Sequence, residues 1–361
     1  MNQNRIARVI ENMRLYGLDQ ILVSATPSVY YLSGFWVAPG ERMLALYLNT
    51  DGDVRLYANR LFALSEGAKK EGLPLTEYDD TEDCVGLLAA DLRPGKLGID
   101  KLWHSRFTIE LMQRRGDLQL VHGSMPVDDA RMCKDARELE LMRQSSRMND
   151  EATARTIAAI HAGMSETELA AAYAGFAKEL GARGNSFEGI TCFGANCAEP
   201  HHDNDDTIIK PGDSVIIDVG LWHEHYASDM TRTVFFGKVS DEQKKVYELV
   251  RRANEAGRAA VRPGLPMSEF DRAARKVIEE GGYGEYFIHR TGHGIGLEVH
   301  EPPDNSATSR VIAKPGMCFS VEPGIYLPGK FGVRIEDLVA VTQDGCETLN
   351  ALGREMVAVS G

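Results

Sequence analysis

Four acidic residues lie where a folded chain should resist them. Asp218 ends the run Val215-Ile216-Ile217, Asp229 leads into Met230-Thr231-Arg232-Thr233, Glu322 follows Phe319-Ser320-Val321, and Glu336 follows Val333-Arg334-Ile335. Runs rich in apolar and β-branched residues read as strands, and an ionised carboxylate buried in one without a partner costs many kcal/mol. One such pair can be a salt-bridged hairpin. Four converging carboxylates repel one another, and only multiple cations make that arrangement stable at neutral pH. A histidine ligand is sought in residues 287–301, where His289, His293 and His300 are interleaved with Gly292, Gly294 and Gly296. His289 and His293 have the spacing of adjacent helical turns, but the glycines argue against a helix. They point instead to backbone running close to a ligand or another strand. Four carboxylates and one imidazole form a hard, oxygen-rich site that favours Mn²⁺, with Co²⁺, Zn²⁺ or Fe²⁺ as alternatives. Two such ions about 3.5–4 Å apart can share a hydroxide as nucleophile and polarise a scissile carbonyl.

The elements that must position these groups form a repeat. Lys210-Pro211-Gly212 leads into the strand ending at Asp218, and Lys314-Pro315-Gly316 leads into the strand ending at Glu322. Gly163-Met164-Ser165-Glu166 is likewise echoed by Met267-Ser268-Glu269. Each half reads as helix, helix, strands. The first opens with a long helix over residues 135–160, then a helix from the capping box Ser165-Glu166-Thr167-Glu168 to Gly181. The second opens at the capping box Ser240-Asp241-Glu242-Gln243 and continues with a helix from Ser268 to Gly281. A pseudo-twofold relating the halves brings both carboxylate hairpins to one centre. Upstream, residues 5–16 read as a helix, 20–24 and 29–32 as short strands, and 43–49 with 54–58 as a hairpin around Asp51-Gly52. A polar helix over 60–71, a buried run at 97–99 and a helix over 105–115 follow. The texture changes to Pro, Asp and Arg at 124–134. The expected domains are therefore a small α/β domain at 1–128, without catalytic residue clusters, and an α+β domain at 129–361.

At 361 residues, 43% hydrophobic and 26% charged, the chain has the composition of an ordinary globular protein. A formal net charge of −13 argues against a nucleic-acid or anionic-membrane partner. The polar Met1-Asn2-Gln3-Asn4-Arg5 lacks a signal peptide's apolar core, and no apolar run would span a bilayer. The six scattered cysteines read as reduced, with Cys192 and Cys197 as small buried hydrophobes. These features lead us to expect a cytoplasmic protein.

The motifs Asp-Val-Gly at 218–220, Ser-Asp-Met-Thr-Arg-Thr at 228–233, Gly-His-Gly-Ile-Gly at 292–296, Val-Glu-Pro-Gly at 321–324 and Arg-Ile-Glu-Asp at 334–337 resemble those of the pita-bread metallopeptidases (M24), the family of methionine aminopeptidase, aminopeptidase P and prolidase. The first domain resembles the N-terminal domain of prolidases, aminopeptidase P and creatinase. Within it, Tyr31-Leu32-Ser33-Gly34-Phe35 and Pro39-Gly40-Glu41-Arg42-Met43 look most like bacterial Xaa-Pro dipeptidases, in which the second segment reaches the partner subunit's active site. The resemblance implies a pita-bread fold and a dinuclear site of Asp218, Asp229, His293, Glu322 and Glu336. Asp229 and Glu336 would bridge two divalent ions, and Glu322 would also shuttle protons. It further implies catalytic roles for His201, matching a substrate-binding histidine, and His300, matching the histidine that stabilises the tetrahedral intermediate. His289, Arg334 and Tyr326 would serve substrate binding or orient the ligands. His202, His223 and His225 read as solvated neighbours. The implied activity is hydrolysis of Xaa-Pro bonds in small peptides, dipeptides first, by a homodimer. The alternatives are an Xaa-Pro aminopeptidase acting on longer peptides, a hydrolase or lyase of small amides, and a metal-free binding protein on the same fold.

Overall fold

The computed structural model describes residues 1–360. The chain divides into two compact units, Met1–Arg131 and Met132–Gly361. In the first, α1 (Gln3–Leu15), β1 (Gln20–Val23), α2 (Thr26–Ser33), β2 (Ala45–Asn49), β3 (Val54–Asn59), α3 (Ser65–Glu71), β4 (Leu75–Tyr78), α4 (Cys84–Asp91), β5 (Gly95–Ile99), α5 (Ser105–Arg114) and β6 (Leu118–His122) follow in order. The strands form one sheet in the order β4-β3-β2-β1-β5-β6. Leu22, Tyr47, Tyr57 and Leu97 pack one of its faces against Leu88 and Leu111 of α4 and α5.

Two local expectations fail here. Residues 29–32 lie in α2 and not in a strand: Pro27 sits in its first turn and Gly34 ends it at φ 84°. A short apolar run is ambiguous between strand and helix, and proline at a helix start with glycine just past its end decides the matter. The helix expected over 60–71 is broken, because Arg60–Phe62 form a 3₁₀ turn and Ala63 turns left-handed at φ 50° before α3.

Helix α6 (Met125–Met132) carries the division between the units. The second unit shows the repeat directly. Its first half comprises α7 (Ala136–Ala158), α8 (Glu166–Glu179), β7 (Ile190–Phe193), β8 (Ser214–Val219), the small hairpin β9 (Trp222–His223) and β10 (Tyr226–Ala227), and β11 (Met230–Phe236). The second comprises α9 (Asp241–Ala260), α10 (Ser268–Glu280), β12 (Gly292–Gly294), β13 (Glu301–Asn305), β14 (Cys318–Val321), the hairpin β15 (Gly324–Leu327) and β16 (Phe331–Arg334), β17 (Asp337–Val341) and β18 (Cys346–Thr348). A last strand, β19 (Ala358–Val359), returns to the first half's sheet, ordered β19-β11-β8-β7, while the second sheet runs β13-β12-β14-β17-β18.

Capping boxes at Asp135/Glu138, Ser165/Glu168 and Ser240/Gln243 start α7, α8 and α9, each cap contributing about 1 kcal/mol. The helix pairs then bury apolar faces on the sheets: Leu169 and Tyr173 against Ile217 and Val219, and Phe270 against Phe319 and Val321. The halves share their buried polar contacts as well. Asn149 of α7 donates its amide to Val219 O at 2.8 Å, and Asn254 of α9 does the same to Val321 O at 2.8 Å. Each amide ties a helix to the end of the strand that carries a carboxylate.

Candidate metal centre

In both halves the acidic pair comes from one end of an antiparallel strand pair. Strand β8 pairs with β11 with Val219 opposite Met230, and Asp218 and Asp229 flank that end. Strand β14 pairs with β17 with Val321 opposite Asp337, and Glu322 and Glu336 follow and precede those residues. The strand ends meet through Glu336 N–H, which donates to Thr231 O at 3.1 Å. All four carboxylates line one cavity of about 290 Å³, with His201, His289, His293, His300 and Arg334 on its walls.

His293 reaches the cavity because β12 is squeezed between β13 and β14. A Cβ at Gly292 would lie 1.9 Å from Ser320 O, and one at Gly294 would lie 2.4 Å from Glu301 O. The alternating glycines thus answer to neighbouring strands. The buried His293 ring donates from Nδ1 to Gly294 O at 3.2 Å, which leaves Nε2 a bare lone pair. That lone pair faces Asp229 Oδ2 at 3.6 Å and Glu322 Oε1 at 3.4 Å. Burial and the nearby His300 ring hold the His293 pKa down at about 3, in keeping with a neutral ring whose one proton is on Nδ1. A lone pair aimed at carboxylate oxygens is repulsive unless a cation lies between them.

The carboxylates give the same indication. Burial, then the charges of Asp218 and Glu322, push the Asp229 pKa well above the usual range. Burial and Asp229 do the same to Glu336, and burial with Asp218 raises Glu322 to about 7. Asp229 Oδ1 and Glu336 Oε1 are buried without a hydrogen-bond partner, although buried polar atoms are nearly always paired. Ligand atoms of Asp229, His293 and Glu336 lie within 4.8 Å of one another. Bare carboxylate oxygens and a bare imidazole nitrogen around one space fit a divalent-metal centre.

The remaining oxygens are oriented. Thr231 Oγ1 donates to Glu336 Oε2 at 2.8 Å and accepts from Arg334 Nε at 3.2 Å. Ser320 Oγ donates to Glu322 Oε1 at 3.0 Å and accepts from His293 N–H at 3.0 Å. Arg334 Nη2 holds Asp218 Oδ2 at 2.6 Å, while its Nη1 donates to Tyr326 Oη at 3.0 Å and to Pro200 O at 3.3 Å. His289 Nδ1 donates to Arg290 O at 2.7 Å, so its Nε2 accepts from the Tyr326 hydroxyl at 2.8 Å. Burial and the Arg334 charge lower the His289 pKa to about 4, in keeping with a neutral ring. The His300 ring lies 4.1 Å from that of His293.

The structure thus brings every residue expected at the site to the cavity or, for Tyr326, directly behind His289. Thr231 and Ser320 went unrecognised in the sequence; their one signal was a hydroxyl residue two positions from an acidic residue on an apolar strand. The three histidines read as solvated neighbours are instead partly buried and partnered. His202 Nε2 lies 2.8 Å from Glu166 Oε2, His223 Nε2 lies 3.0 Å from Gln144 Oε1, and His225 Nε2 accepts from Arg183 at 3.0 Å.

With this geometry in view, residues 140–343 match metallopeptidase family M24. The chain belongs to that family. Metallopeptidases of family M24 use divalent metal ions, as the bare donors here require. Residues 5–133 match the creatinase/prolidase N-terminal domain. The chain is 34% identical to an Xaa-Pro dipeptidase of Pyrococcus horikoshii, covering 99% of each. It superposes on a prolidase of Thermococcus sibiricus with a TM-score of 0.93 at 36% identity, covering 99% of this chain and 100% of the other. An X-Pro aminopeptidase of Thermotoga maritima follows with a TM-score of 0.84 at 32% identity, covering 97% of this chain and 100% of the other. No helix among the described residues of this M24 chain is long and apolar enough to cross a membrane.

Proposed function

We propose that this chain hydrolyses the peptide bond before proline, with Xaa-Pro dipeptides as its substrates. One observation carries the reading: five ligand-type side chains, two of them with buried unpartnered oxygens, converge on one cavity, in a chain similar over nearly its whole length to an Xaa-Pro dipeptidase. Asp218, Asp229, His293, Glu322 and Glu336 would hold two divalent ions, with Asp229 and Glu336 in the bridging role, Asp218 serving one ion and His293 with Glu322 the other. The oxygen-rich donors favour Mn²⁺. When bound, such ions supply a water-derived nucleophile at neutral pH and polarise the scissile carbonyl.

The protein's own groups do the rest. Glu322 takes up the proton released by the attacking water and returns it to the departing proline nitrogen. His300, exposed to the cavity beside His293, donates to the oxygen on which charge develops. His201 contacts the substrate and His289 walls the proline site. Arg334 and Tyr326 were grouped with the substrate-binding residues on resemblance; their donors are already engaged by protein. We assign Arg334 to orienting Asp218, and Tyr326 to fixing the His289 tautomer. Proline makes a tertiary amide without an N–H, so a centre that needs only the carbonyl suits it. A homodimer in the cytoplasm belongs to the same proposal.

An aminopeptidase acting on longer Xaa-Pro peptides is the second reading, favoured by the likeness to the Thermotoga enzyme. The test is hydrolysis of Ala-Pro against Ala-Pro-Ala by metal-stripped protein before and after adding Mn²⁺. Cleavage of the dipeptide alone, restored by metal, is expected. Preference for the tripeptide selects the aminopeptidase, and no cleavage of either with metal bound overturns the peptidase reading.

A further inference from the structure

A second group of ligand-type side chains, Glu166, His202 and Asp205, lies outside the carboxylate cavity. Its bonding is not that of a metal site. Glu166, fully buried at the first residue of α8, accepts at Oε1 from Phe193 N–H at 2.8 Å and from the Asn196 amide at 3.0 Å. Its Oε2 accepts from Asp205 N–H at 3.1 Å and from His202 Nε2 at 2.8 Å. A cation would have to displace those donors. One carboxylate thereby holds both ends and the middle of a single segment, from Phe193 to Asp205.

His201 lies inside that segment. It is exposed, it makes no hydrogen bond among the described residues, and it still lines the cavity. Its side chain has no anchor, so its place is set by the backbone on either side. Before it, Pro200 O is held by Arg334; after it, His202 is held by Glu166. The geometry points to Glu166 and His202 as positioning residues that act on substrate through His201, an inference that rests on the role proposed for His201 above.

The second half repeats the device. Asp271, fully buried in the first turn of α10, accepts at Oδ1 from Thr291 N–H at 3.0 Å and from the Thr291 hydroxyl at 2.7 Å. Thr291 stands between His289 and His293. In each half, a carboxylate in the first turn of the second helix holds the segment that carries that half's site histidines.

The test uses His202→Leu, which keeps bulk and loses the donor, and His202→Gln, which keeps an N–H within reach. The His201 ring signal is followed by NMR in protein labelled at histidine Cε1 and loaded with diamagnetic Zn²⁺, alongside metal content, melting temperature, and kcat and KM on Ala-Pro of the Mn²⁺-loaded protein. In His202→Leu the His201 signal should broaden or split, and kcat/KM should fall by roughly 10²-fold, the cost of a misplaced group. Metal content should stay at the wild-type level, and His202→Gln should restore both readouts. A His201→Ala/His202→Leu double variant should be no slower than His201→Ala alone. A single sharp His201 signal in His202→Leu, or losses that multiply in the double variant, would overturn the assignment. If wild-type protein cleaves no Xaa-Pro peptide, the functional reading falls, and the His201 signal still decides the positioning role. Should His202→Leu fail to fold, Glu166→Gln is read in the same way.

Discussion

Thr231 holds two site groups at once, steering Glu336 with its hydroxyl hydrogen and receiving Arg334 on its oxygen. Groups that orient metal ligands typically change affinity 10–100-fold when removed. Thr231→Val, close in shape and without the hydroxyl, should therefore weaken divalent-ion binding by about that factor, measured by calorimetry, and should also cost the metal-free form about 1–3 kcal/mol for the buried partners left unpaired. Protonation of the empty site gives a second prediction. Burial and the charge of Asp218 push the Glu322 pKa from the ordinary 4.5 up to about 7, with Asp229 and Glu336 shifted in the same direction. Between these two pH values native Glu322 keeps a proton that its unfolded form has released, so its contribution to stability falls as pH rises, while His289 and His293, held neutral by burial, contribute in the opposite sense. Metal-free Glu322→Gln protein, which lacks this titration, should gain stability relative to the wild type as pH climbs from about 4.5 to about 7. Metal binding needs the ionised carboxylates, so affinity should rise over the same window with release of protons. Denaturant melts of both proteins across pH, and calorimetry in buffers of different ionisation enthalpy, measure the two; a stability difference between Glu322→Gln and wild type that does not grow from pH 5 to 7 would contradict the account.

At the scale of elements, the tie between helix and strand end matters most. Asn254 donates to both Val321 O and Ile335 O, at 2.8 and 3.3 Å, on either side of the Glu322 and Glu336 backbone. Asn254→Ala leaves buried carbonyls without a donor and should cost about 2–3 kcal/mol, read from chemical denaturation, with a loss of metal affinity that a purely global destabilisation would not give. Much of this layer was legible in the sequence. The capping boxes, the Lys-Pro-Gly strand leads and the carboxylates ending apolar runs each state a local rule, and local rules survive folding. Asn149 and Asn254 carried no such signal, because an asparagine inside a helix looks like any polar surface position until its helix is packed. His202 was misjudged for the same reason: its partner, Glu166, lies 36 positions away in the chain. The strand expected at 29–32 failed for a different cause, since four apolar residues contain too little periodicity to outweigh Pro27 and Gly34.

At the scale of the whole catalytic unit, the centre takes two carboxylates from each half, so bound ions join the halves. Stripping metal with a chelator should lower the melting temperature as well as abolish activity. Saturation at a thousandfold excess over Kd stabilises by about 4 kcal/mol, and a unit of this size shifts by about 2–4 °C per kcal/mol. A melting temperature indifferent to chelator would mean that the metal-free carboxylates are already compensated, against their raised pKa values. The return of β19 to the first half's sheet has its own consequence. It pairs in parallel with β11, Phe235 opposite Ala358 and Phe236 opposite Val359, so the second half closes on the first by a strand as well as by the link from β11 to α9. The halves are laced in both directions. A nick between β11 and α9 would cut a peptide bond without separating the pieces, and the active centre would then belong to an assembly of two chains.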